Sequence, residues 1–193
     1  EQIWQWDPGQ GWETGNNDGL YYEGEAIPYR TRLQNLIEGN KYSLTIGYDT
    51  TKAGKHALDY LTSYDHTKPV DPCAELSKLP EGLCNVVTST YPIPPDTFMQ
   101  ADPMWMGTQD YGEFTMYGGT IDNVGIPGDE YTTPPSYEGD TSTTITVYFT
   151  ANNTDLVLAW GGHIAERADW GLNNSAVYIS GSPYHMFLDD FYD

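Results

Sequence analysis

Positive charge is scarce in this chain. Eight Lys and Arg residues face 28 Asp and Glu residues across 193 positions, a formal net charge of −20. Such a field repels nucleic acid and anionic lipid surfaces and argues against both as partners. No run of 18 apolar residues is present, so no membrane-inserting helix is expected. Stretches with a long 3.6-residue apolar period are also missing, which argues against a helical fold. No period of 20–50 residues repeats, which leaves solenoids and propellers aside. The two cysteines are too few for a zinc cluster, and no histidine stands at finger-like spacing. Lacking an initiator Met and a signal-type apolar segment, a chain that begins at Glu1 reads as a processed, exported protein.

What the chain has is aromatic mass and turns. Sixteen tyrosines, six tryptophans, 20 glycines and 13 prolines accompany a charged fraction of 19 %. That aromatic content supports a packed core, and the turn residues favour short strands. The expectation is one all-β domain over 1–193, an antiparallel β-sandwich of jelly-roll or immunoglobulin-like kind with long loop insertions.

Alternation locates the strands. Ile27, Tyr29, Thr31 and Leu33 share one face, with Arg30 and Arg32 opposite. A turn then leads to Tyr42, Leu44, Ile46 and Tyr48, and the two runs read as a hairpin. Ala57, Leu58 and Leu61 have the spacing of one helical turn. Ile145, Val147 and Phe149 alternate, as do Leu156, Leu158 and Trp160 beyond "ANNTD", and Tyr184, Met186 and Leu188 near the end. Residues 66–142 are rich in proline and read as a loop insertion, with short strands at 84–89 and 113–117. Cys73 and Cys84 lie 11 apart in that stretch and are expected to pair, which favours an oxidising compartment. Residues 1–19 form an amino-terminal arm. Its aromatic front, with Ile3, Trp4 and Trp6, either pairs with a neighbour's sheet edge or adds an edge strand to its own sheet.

Four segments carry a resemblance: "PYR" at 28–30, "YSLTIGYDTTKAGKHALDYLTSYD" at 42–65, "VLAWGGHIAERADWG" at 157–171 and "SAVYISGSPYHM" at 175–186. Together, within about 28–65 and 157–188, they resemble a module of large secreted and cell-surface bacterial proteins. The resemblance implies an exported, extracellular, modular and β-rich context. It supplies no catalytic residues.

The same segments hold the chemistry-bearing side chains. His56, Asp59, His163, Asp169 and His185 are candidate corner residues, each histidine expected to donate to a backbone carbonyl where a strand meets a loop. The sharper alternative gathers two or three histidines round a metal with Asp59 or Asp169. No local H-x-H or H-x-x-x-H seeds such a site. Ser180 or Ser182 with His185 lacks the G-x-S-x-G elbow. Glycines in "AWGGH" are expected at positive φ or in close packing. Asp189-Asp190, Asp129-Glu130 and Glu138/Asp140 are carboxylate pairs, but neighbours on a strand point to opposite faces. Calcium is the possible cofactor, held by loop oxygens although no EF-hand loop occurs. Met104, Trp105 and Met106 form the first candidate contact surface.

The resulting expectation is a non-enzymatic extracellular structural or adhesion protein, a surface module or the subunit of a filament or layer. Its partners are copies of itself or a cell-surface protein. The alternative is a carbohydrate-binding module with an aromatic stacking platform.

Overall fold

The computed structural model describes residues 2–16, 19–181 and 183–193, so Glu1, Asn17 and Asp18 of the expected arm, and Ser182, lie outside the described residues. Among the described residues twelve strands follow in chain order: β1 (Gln2–Asp7), β2 (Gly11–Glu13), β3 (Ala26–Gln34), β4 (Lys41–Lys52), β5 (Lys55–His56), β6 (Leu58–Thr62), β7 (Ser89–Pro92), β8 (Glu113–Tyr117), β9 (Gly119–Val124), β10 (Thr141–Ala151), β11 (Asp155–Ile164) and β12 (Met186–Tyr192). Two single-turn helices are α1 (Thr97–Gln100) and α2 (Arg167–Trp170), and a 3-10 turn spans Ala176–Tyr178.

All strand pairs are antiparallel. A seven-stranded sheet runs β2-β1-β3-β11-β8-β7, with β6 also on β11. A five-stranded sheet runs β12-β4-β10-β9, with β5 on β4. The alternating residues face each other across the gap. Tyr29, Leu33, Leu158 and Trp160 come from the first sheet; Leu44, Ile46, Val147 and Phe149 come from the second. The protein is an all-β sandwich whose core is built by period-two patterning.

The expected hairpin does not form. β3 pairs with β1 and β11, whereas β4 pairs with β10 and β12, so the turn after β3 carries the chain across the core. The β10-to-β11 connection crosses in the same way. The two crossings are tied together, since Leu36 N–H donates to the Thr154 carbonyl and Gly39 N–H to that of Ala151. Two consecutive alternating runs bury their faces equally well side by side or face to face, so the pattern alone leaves the partner open.

Nor do Ala57, Leu58 and Leu61 make a helical turn; they belong to β6 and the residue before it. Every residue of β6 is buried, and a strand covered on both faces loses its alternation. The strand expected at 84–89 begins only at Ser89, and Val86 and Val87 are exposed. The one expected at 113–117 is β8. The stretch 66–142 thus supplies β7, β8 and β9 to the sheets.

A third layer covers the outer face of the first sheet. Arg30, on the face of β3 away from the core, is 2 % exposed. Its guanidinium donates to the carbonyls of Pro72 (3.0 Å) and Ala74, and lies 4.3 Å from the Trp12 ring centroid and 5.4 Å from that of Trp4. Arg32 reaches Asp155 at 2.7 Å and the carbonyls of Ser77 and Lys78. The loop so gathered is closed by the Cys73–Cys84 disulfide, and Leu76, Leu79 and Leu83 pack with Tyr117 and Val157 beneath it. The two arginines opposite the apolar stripe of β3 therefore anchor the disulfide loop rather than face water.

Candidate functional site

At one end of the sandwich β5, β6, β11 and α2 meet. β6 pairs with the last part of β11, placing Tyr60 directly opposite His163. Their rings stack with centroids 4.2 Å apart and planes 8° from parallel. Asp59 precedes Tyr60, and its Oδ1 lies 2.6 Å from His163 Nδ1. Its second oxygen, Oδ2, accepts the Trp170 indole N–H at 2.9 Å. One carboxylate thus ties β6, β11 and α2 together, and Asp59, His163 and Trp170 are 2 %, 3 % and 1 % exposed.

His56 enters from β5, which folds back on the end of β4 with His56 opposite Thr51. Its ring lies against the Trp170 indole at 3.4 Å between centroids, and the His56 backbone N–H donates to the Asn174 carbonyl. Trp105 and Tyr137 pack on the other sides of Trp170, at 5.0 and 6.2 Å. The loop bearing Trp105 is pinned where Met106 N–H donates to the Asp169 carbonyl at 2.8 Å. Arg167, on the exposed side of α2, pairs with Glu23 at 2.6 Å.

Electrostatics follow from this burial. Burial pushes the His56 imidazole down to about 4, with Asp59 and Asp102 pulling the other way. Burial also opposes charge on His163. There the Asp59 charge and hydrogen bond, backed by Asp169 and Glu166, win and hold the ring above its ordinary range. Asp169 is pushed up to about 6, first by burial and then by Asp59 and Glu166, while His163 pulls it down. His56 is therefore a neutral packing ring at pH 7, and His163 is the buried hydrogen-bond partner of the Asp59 carboxylate.

The candidate corner residues divide. His56, Asp59, His163 and Asp169 converge, but His185 does not join them. Its backbone N–H donates to Asp49 Oδ2, and its ring, half in solvent, contacts Asn16. The bonding differs from the expected backbone acceptors, because His163 finds a carboxylate and His56 an aromatic face. Gly161 and Gly162 lie in β11 without positive φ. They are small because a Cβ on Gly161 would stand 2.4 Å from the Ser63 carbonyl oxygen.

Trp105 folds down onto this corner, leaving Met104 and Met106 exposed. Trp4 and Trp6 are half-buried around Arg30 and Trp12, and Ile3 packs against the main core. β1 pairs with β3 of its own sheet, the second of the two placements expected for the arm. Ser180 is exposed. Tyr60 and Trp170, which complete the corner, were legible only as the aromatic neighbours of Asp59 and Asp169 in "LDYL" and "ADWG".

At the opposite end of β4 lies a hollow of about 310 Å³ with Tyr42, Tyr148, Phe149 and Tyr192 in its lining, edged by Lys41, Ser43 and Asp122. No protein-family model matches the chain, and no curated protein or solved structure matches it.

Proposed function

We propose that this chain is a non-enzymatic structural or adhesion module of an extracellular surface, working as one unit of a larger surface protein or assembly. The observation that carries the reading is the closed corner. Its carboxylate has both oxygens bonded internally and its two histidines are spent on stacking and ion pairing, an arrangement that fastens strands. The disulfide loop and the acidic surface suit an oxidising, cation-rich exterior. Sizing purified chain by light scattering across millimolar divalent cation, followed by electron microscopy, tests the assembly role. Discrete higher-order particles or filaments support it; a strict monomer under every condition removes self-assembly and leaves only attachment to a different surface protein.

A second reading, carbohydrate binding, is favoured by the aromatic hollow. Tyr148 and Tyr192 line it together with Asp122 and Lys41, the mixture of aromatic and polar side chains that suits a pyranose. A glycan array with wild type and Tyr192→Ala separates the two readings. Binding lost in the variant favours the sugar site, and no binding by wild type dismisses it.

A further inference from the structure

Asp169 is the one acid of the corner that its hydrogen bonds do not explain. Among the described residues its half-buried carboxylate accepts no hydrogen bond and makes no ion pair. Yet the loop backbone closes directly onto it, for a Cβ on Gly107 would stand 2.3 Å from Asp169 Oδ1. One donor atom from each of Asp59, His163 and Asp169 lies within 4.8 Å of the others. Two carboxylates thus share one imidazole in a space walled by Tyr60, Trp105 and Trp170.

We propose that this corner is a site for a single divalent ion of the zinc class, with His163, Asp59 and Asp169 as its ligands. The ion takes the place of the proton between His163 Nδ1 and Asp59 Oδ1, and that proton leaves to solvent. Asp59 Oδ2 keeps its bond to the Trp170 indole, which fixes the carboxylate as an outer partner fixes a metal ligand. Imidazole nitrogen suits zinc and its neighbours. Calcium asks for about six to eight oxygens, and two carboxylates with a nitrogen do not supply them. Zinc bonds of about 2.0–2.2 Å set tetrahedral ligand atoms roughly 3.4 Å apart, so the 2.6 Å between Asp59 Oδ1 and His163 Nδ1 opens to admit the ion while Asp169, within 4.8 Å of both, closes in. Asp169, half-buried on a one-turn helix, is the group free to make that movement, and water takes the fourth position.

This site lies in the corner on which the surface-module reading rests, and an ion there fastens the same strands, so loss of the zinc proposal leaves that reading standing. The test is a calorimetric titration of chelator-treated chain with zinc chloride, alongside Asp169→Asn and Asp169→Ser. Both variants remove a carboxylate that holds nothing else in place, and near-ultraviolet circular dichroism checks their fold. His163→Gln also breaks the Asp59 bond and is read only beside them. The expected result is one zinc per chain, undisturbed by equal calcium, with at least tenfold weaker binding and no zinc-induced rise in melting temperature in both Asp169 variants. Absence of stoichiometric zinc binding overturns the proposal. So does binding undiminished in the variants, which places the ion on the acidic surface instead.

Discussion

Asp59→Asn is the most informative single change in this protein. The native carboxylate satisfies two buried donors at once, His163 Nδ1–H at 2.6 Å and Trp170 Nε1–H at 2.9 Å. Asparagine has nearly the same shape but one acceptor, so its amide nitrogen must face one of those donors. An unsatisfied buried donor costs about 1–3 kcal/mol, and removing one partner of a buried ion pair costs about 3–5 kcal/mol. Because the terms overlap, about 4 kcal/mol is expected for the variant. For a chain of this length that lowers the melting temperature by roughly 8–16 °C. Urea unfolding of both proteins at constant pH, with chelator present, measures the difference. Trp170→Phe keeps an aromatic ring against His56 and loses only the indole N–H, so it costs about 1–2 kcal/mol. The double variant should fall short of the sum by about 1 kcal/mol, since both changes strike one carboxylate. An Asp59→Asn loss below about 1 kcal/mol, or strict additivity, would refute the idea that this carboxylate ties three elements together.

Other consequences can be checked alongside. Replacing Cys73 and Cys84 by alanine opens a loop of sequence separation 11, for which chain entropy gives a loss of about 3 kcal/mol; unfolding with and without reductant reads it, and an unchanged midpoint would show that the arginine anchors alone hold the loop. Gly161→Ala drives a methyl into the Ser63 carbonyl, whereas in Gly162→Ala the methyl meets the Met186 methyl at 2.9 Å and the Tyr29 ring; the first should cost at least about 2 kcal/mol and clearly more than the second. His56 has a folded value near 4 against an ordinary 6.5, so its contribution is complete above pH 6.5 and is lost as pH falls towards 4. It amounts to roughly 3 kcal/mol. His56→Phe should flatten the stability profile between pH 6.5 and 4, and an unaltered acid limb would show that other groups govern it. Arg30→Lys keeps the charge but loses the planar stack on Trp12 and one of the two carbonyl bonds, so a loss of about 2 kcal/mol in urea is expected.

The alternating strands were legible because each has one face on a common core. Leu44, Ile46, Ile145, Val147, Leu158 and Trp160 all point where their spacing placed them. Partner choice was not legible: β3 and β4 have the same pattern whether they pair or face each other. β6 was misread because burial on both faces gave it a helix-like run, and the burial of Arg30 was not legible because alternation alone does not show that a third layer covers that face. The corner was half visible. The segments carrying His56, Asp59, His163 and Asp169 stood out, but nothing local tells that Asp59 and His163, 104 residues apart, meet across β6 and β11. His185 looked equivalent in sequence and lies elsewhere, just before β12 and beside Asp49 and Asn16.

Hydrogen exchange at the Trp170 indole, followed by nuclear magnetic resonance, probes the closed corner most directly. A proton held between Trp170 and a buried Asp59 should exchange only when the whole sandwich unfolds, with the same free energy and denaturant dependence as the backbone amides of β11. Exchange through local opening, faster than those amides by orders of magnitude, would mean that Asp59 and His163 face solvent and that the corner is an open site.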